Sequence, residues 1–82
     1  MEIRPLRANL LRFLRKHNLA KKYSKQAGLF CQNPKHPSLN TERLEPKQFK
    51  IYSFRIDRKY RAIFGFKSPD VIEIIDINLH YQ

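Results

Sequence analysis

The sequence predicts an α+β fold, a helical hairpin packed on one face of a small twisted antiparallel sheet in the order β-α-α-β-β-β. Two observations carry that expectation. Apolar residues recur at helical spacing from Leu6 to Cys31, and from Phe49 onward they recur at every second position. Size supplies a third constraint. The chain has 82 residues, 41% of them apolar, enough for one domain over residues 1–82 and too apolar for disorder. No internal repeat, low-complexity tract or linker breaks it.

Met1 to Arg4 read as a short edge strand, with Pro5 suited to the first turn of a helix. Leu6, Leu10, Phe13 and Leu14 then form one apolar stripe. His17 and Asn18 mark a break, where His17 suits a helix C-terminus and Asn18 an N-cap. Leu19, Tyr23, Ala27, Phe30 and Cys31 form a second stripe, which ends before Asn33-Pro34 because proline pushes its predecessor out of the helical region. Arg12, Arg15, Lys16, Lys21, Lys22 and Lys25 fall on the wet side of this hairpin.

Residues 34–48 hold three prolines and no period, and read as an ordered loop. Beyond them lies a β-hairpin whose loop length decides its faces. A three-residue loop over Asp57-Arg58-Lys59 pairs Ile56 with Tyr60 and places Tyr52, Phe54, Ile56, Tyr60, Ala62, Phe64 and Phe66 on one face. Arg55 and Arg61 then oppose one another on the other, solvent-facing side. After Lys67-Ser68-Pro69-Asp70 the run Val71–Ile77 is apolar on both faces apart from Glu73 and Asp76, as in a central strand.

Charge narrows the partners. Lysine and arginine number 17 against 7 acids, a formal charge of +10 that favours a polyanion, above all RNA, or an acidic protein. No run approaches the roughly 18 apolar residues of a spanning helix and no signal peptide opens the chain, which points to the cytoplasm and no membrane. Cys31 has no internal disulfide partner and reads as a small core residue. Cys31 and His36 do not make a four-ligand zinc site, and so short a chain leaves little room for a deep cofactor cavity. No metal or cofactor is expected.

Opposed arginines on a sheet repel unless something anionic lies between them. Around Arg55 and Arg61 the pattern gathers Lys47 and Lys50 from the preceding segment, Glu42 just upstream, and His80 and Tyr81 at the end of the last strand. Cations, an imidazole, a phenol and a carboxylate suit one metal-free reaction. RNA cleavage by its own 2′-hydroxyl needs a base, a stabiliser of the phosphorane's charge and an acid for the leaving 5′-oxygen. A face that only binds RNA would need the cations alone.

The segments HPSLNTERL, IYSFRIDRKYRAIF and IEIIDINLHYQ, in that order, resemble the RelE/ParE superfamily of toxins from type II toxin–antitoxin systems. The terminal His-Tyr is most similar to the YoeB-like branch of mRNA interferases. The resemblance covers roughly residues 30–82. It implies a toxin that cuts mRNA in the decoding site of the small ribosomal subunit, and an acidic protein antitoxin as partner. Arg61 in KYRAIF corresponds to the family's phosphate-stabilising arginine, and His80 and Tyr81 to its terminal histidine and tyrosine. Arg55 falls at a second basic position and Glu42 at the general base. Lys47 and Lys50 resemble lysines of other branches, and with Arg58 and Lys59 are the expected RNA contacts. The opening strand is shorter than the family's and the tail minimal. Two alternatives stay open, a non-catalytic binder of RNA or ribosomes on the same fold and a ParE-like inhibitor of gyrase.

Overall fold

The computed structural model describes residues 1–79; His80 and Tyr81 lie outside the described residues. The chain runs β1 (Glu2–Ile3), α1 (Ala8–Lys16), α2 (Ala20–Gln32), β2 (Glu42–Arg43), β3 (Ile51–Arg55), β4 (Tyr60–Ser68) and β5 (Val71–Leu79). Single 3₁₀ turns at Pro37–Leu39 and Lys47–Phe49 flank β2. The fold is α+β, with both helices packed on a five-stranded sheet of order β1-β5-β4-β3-β2.

The sheet is mixed where the pattern predicted antiparallel. β1 runs parallel to β5, with Glu2 beside Val71 and Ile3 beside Ile72. Parallel neighbours need a long crossover, and here the whole intervening chain supplies it. β2 adds a strand inside the segment read as loop, pairing Glu42 with Ser53 and Arg43 with Tyr52. Two residues are too few to show a period.

The β3–β4 hairpin has the predicted register. Phe54 faces Ala62, Arg55 faces Arg61, and the Ile56 amide donates to the Tyr60 carbonyl at 2.9 Å. The Asp57 carboxylate accepts the Lys59 and Tyr60 amides, both at 2.8 Å, which fixes the three-residue turn. Phe54, Ile56, Ala62 and Phe64 are buried under the helices. Phe66 departs from that set. It is 47% exposed, lying with Tyr52 and Phe64 along an open groove of about 500 Å³.

β5 lies inside the sheet, between β1 and β4, as its two-faced apolarity predicted, and a bulge adds to that apolarity. Ile63 pairs with Asp76 while Phe64 pairs with Ile74, so Ile75 is an extra residue and the faces switch there. Ile72, Ile74 and Ile77 are consequently all buried, and Ile75 turns to the opposite face. The strand at the middle of the sheet is β4.

Leu10 and Leu14 of α1, Leu19, and Tyr23 and Phe30 of α2 close the core from above. Phe30 stacks on Phe54 at 5.3 Å and meets Phe64 edge-on at 5.1 Å, the favoured aromatic geometries. Three local expectations change. Pro5 precedes the helix, whose first amide bonds go to the Arg7 carbonyl. Asn18 is not an N-cap. With φ 57° it takes the left-handed conformation that ends α1, and the next amide, Leu19, reaches back to the Leu14 carbonyl at 2.7 Å. Cys31 is exposed, because the buried line is Tyr23, Gln26 and Phe30 and one further residue turns about 100° away. The six hairpin cations are all exposed.

Burial has a measurable consequence at Tyr23. Desolvation first, and the Cys31 thiolate second, push its phenol up to about 12. In the unfolded chain it ionises near 10, so between about 10 and 12 the unfolded state binds fewer protons and stability falls as pH rises. The stabilisation is complete below the lower value. Tyr23→Phe is expected to flatten this alkaline limb of a denaturation series, and an unchanged limb would show that Tyr23 is not its source.

Candidate functional site

The face of the sheet away from the helices carries Ser53 on β3, Arg61 and Ile63 on β4, and Asn78 on β5. Strand alternation places them there. The expectation that Arg61 points into solvent is overturned, since the residue is only 3% exposed. The reason is the chain between α2 and β3, which crosses its side and captures the guanidinium.

Arg61 leans away from Arg55 and toward β2. Its Nε donates to Ser53 Oγ at 2.8 Å, and Nη2 donates to the Ser53 carbonyl at 3.2 Å and to the Asn40 carbonyl. Glu42 Oε1 lies 3.6 Å from Nη2. The repulsion expected from the opposed arginines is relieved in this way, and Arg55 stays exposed with no part in the pocket. Burial lowers the Arg61 pKa most, the Glu42 carboxylate raises it, and Arg55 lowers it again. The group remains a cation.

One corner of the guanidinium is unfilled. Nη1 is buried and has no hydrogen-bond partner among the described residues. Arg61 also lines a hollow of about 250 Å³ together with Glu42, Leu44, Ser53, Ile63, Asn78 and Leu79. A buried cationic donor without an acceptor is costly, and an anionic oxygen entering the hollow would offset that cost. The site therefore joins a buried guanidinium, one nitrogen of which is unpartnered among the described residues, to a carboxylate 3.6 Å from its Nη2.

Other expected site residues divide. Glu42 is brought to Arg61. Lys47 and Lys50 are exposed on the turn after β2, outside the hollow, where the Lys47 carbonyl accepts Arg43 Nη2 at 2.8 Å. Arg58 and Lys59 line a separate polar depression with His17 and Lys22 at the hairpin tip. His80 and Tyr81 follow β5, whose Asn78 pairs with Arg61. His36 is a capping group: its Nδ1 accepts the Ser38 amide at 3.1 Å.

Ser53 and Asn40 escaped the sequence reading. Nothing local marks a serine that receives an arginine eight residues on, or a carbonyl that does so across a sheet. Gln26 was missed too. It is buried on α2 and donates to the Ser38 and Arg55 carbonyls at 3.2 and 2.9 Å, tying the helix to the crossing segment and to β3. A polar residue at a stripe position was the available signal.

No family model and no curated protein matches the sequence. Solved structures do match in shape. A YoeB/ParE toxin from Agrobacterium tumefaciens superposes with a TM-score of 0.71 at 17% identity, over 99% of this chain and 100% of that one. A chain from the heterotetrameric YoeB-YefM toxin-antitoxin complex of Staphylococcus aureus does so with a TM-score of 0.64 at 19% identity, over 98% of this chain and 94% of that one. At such identities the likeness concerns architecture, and it extends over nearly the whole of each chain. With its helical hairpin on a mixed sheet and a short parallel first strand, this chain has the fold of the YoeB/ParE toxins.

Proposed function

We propose that this chain is the toxin of a toxin–antitoxin pair and a metal-independent endoribonuclease that cleaves mRNA on the ribosome. The observation that carries the reading is Arg61 itself, a buried cation that lines one hollow with Glu42 and whose Nη1 has no hydrogen-bond partner among the described residues. In that reading a phosphate oxygen takes the free Nη1–H. Glu42 receives the proton of the 2′-hydroxyl, the O2′–P bond forms and the P–O5′ bond breaks. A 2′,3′-cyclic phosphate and a 5′-hydroxyl result, with His80 returning a proton to the leaving oxygen and Tyr81 available to stack on a base. Arg61 stabilises the added charge of the phosphorane without reorganising, because Nε and Nη2 are already tied down. Exposed Lys47, Lys50, Arg55, Arg58 and Lys59 hold the flanking phosphates.

A second reading has an observation of its own. Arg61 is bonded to Ser53 and Asn40 and so braces the edge of the sheet, a role that a non-catalytic RNA binder with this fold would also need. Primer extension on mRNA programmed into ribosomes separates the two. New 5′ ends that depend on Glu42 support the nuclease, and ribosome binding without new ends supports the binder.

The partner in this reading is an acidic protein, which the charge of +10 favours, and the YoeB-YefM toxin-antitoxin complex contains a chain of the same fold. At about 100 times its dissociation constant, a partner specific for the folded state adds roughly 2.7 kcal/mol. Melting the chain with and without the acidic product of an adjoining reading frame is expected to show that gain, and an unshifted melt counts against the pairing.

A further inference from the structure

A second hollow adjoins the first on the same face of the sheet. It measures about 380 Å³ and shares the wall residues Leu44, Ile63 and Asn78 with the Arg61 hollow. Its floor is aliphatic, from Ile51, Ile63 and Ile75, the last turned to this face by the β5 bulge. Phe49 forms part of its wall and is 64% exposed, more than any other large apolar side chain among the described residues.

Phe49 is held there by its backbone. It ends the 3₁₀ turn Lys47–Phe49, with its amide on the Pro46 carbonyl at 3.1 Å, and Lys50 follows in the left-handed conformation at φ 54° with its own amide on the Lys47 carbonyl at 3.1 Å. A planar side chain on a fixed turn loses little freedom when something stacks on it. Charge identifies what that is. Only 7 acidic residues exist in the chain, and two of them, Glu45 and Asp76, line this hollow. Carboxylates repel a further phosphate but accept hydrogen bonds from an amino group. Asp76 Oδ1 is occupied by the Ile77 amide at 2.8 Å, and no bond engages its other oxygen among the described residues.

We infer that this hollow is a nucleobase subsite, stacking on Phe49 the base next to the phosphate held by Arg61 and favouring bases with an exocyclic amino group, adenine, cytosine or guanine, over uracil. The inference rests on the proposed RNA reading and adds to it a source of sequence preference. Stacking is sequence-tolerant and supplies affinity. Asp76 and Glu45 supply the discrimination, because an exocyclic amino group brings two hydrogens to a carboxylate whereas uracil offers a single N3–H between two carbonyl oxygens that carboxylates repel.

The test is a methyl NMR titration of the full chain with 2′-O-methyl adenylyl-adenosine and 2′-O-methyl uridylyl-uridine, which keep the phosphate and resist cleavage. The adenine dinucleotide is expected to bind about tenfold more tightly and to shift the methyl signals of Ile51, Ile63 and Ile75. Phe49→Ala should weaken it roughly ten- to a hundredfold. Asp76→Asn keeps the Oδ1 acceptor for Ile77 yet should erase the preference for adenine. Wild-type affinity in Phe49→Ala, or shifts confined to other methyls, would overturn the subsite, and binding still lost in Arg61→Lys would leave the RNA reading standing. Failure of both dinucleotides to bind the wild-type chain would overturn the subsite, while cleavage on programmed ribosomes tests the nuclease separately. A dimer in solution that Phe49→Ala dissolves would assign the hollow to a second copy of the chain and overturn the inference.

Discussion

Arg61→Lys is expected to slow ribosome-dependent cleavage by about a hundred- to a thousandfold, the usual cost of losing one aligned donor to a developing oxyanion. The charge is kept, so the loss isolates geometry. In the native chain Nε and Nη2 are anchored on Ser53 and Asn40, and Nη1 is the nitrogen left without a partner among the described residues. A lysine carries one ammonium on a flexible stem. It cannot satisfy Ser53 and Asn40 and still present a donor to phosphate. Because Arg61 is buried, the change is also expected to destabilise. Hydrogen bonds to charged groups contribute about 1.5–3 kcal/mol each, and a lysine forfeits at least one of those made here. Cleavage is therefore compared below the melting midpoint of the variant. Wild-type cleavage by the folded variant would reduce Arg61 to a brace.

Glu42→Gln separates chemistry from stability more cleanly. As general base Glu42 is worth about a hundred- to ten-thousandfold, and an amide of the same shape cannot take the proton. Its side chain is 45% exposed and sits 3.6 Å from Nη2, so the ion pair is solvent-screened and contributes at most about 1 kcal/mol to stability. A melt within that margin together with cleavage reduced a hundredfold or more would assign Glu42 to the reaction. Equal loss of cleavage and of fold would assign it to the brace.

These two expectations reverse an assumption that strand alternation encourages. Alternation puts Arg61 on the face without helices, and on most small sheets that face is wet. Whether it is wet depends on what crosses it, and the crossing segment has no period. Arg61 is 21 residues from Asn40, a contact no local pattern encodes. The consequence is practical. Arg61→Ala is not a neutral surface change here, and loss of activity alone would not identify a catalytic role.

Periodicity by itself determined the helical hairpin, the register of β3 against β4 and the aromatic core, because spacings of 3.6 and 2.0 are local properties of the backbone that burial makes visible. It also set Arg61 opposite Arg55 and so marked Arg61 as a candidate, while Glu42 was named by its place just upstream and by the family resemblance. Tertiary structure alone decided the rest. The parallel pairing of β1 and the strand at Glu42–Arg43 involve two residues each, too short for any period to register. The bulge at Ile75 emerges only when β5 is laid against β4, and it supplies the third isoleucine of the Phe49 hollow. Burial of Arg61, its bonds to Ser53 and Asn40, and the free Nη1 depend on segments brought together by folding. Chemistry-bearing residue types were legible in the sequence because each is a letter; their readiness to act was not, because it is a relation between distant parts of the chain.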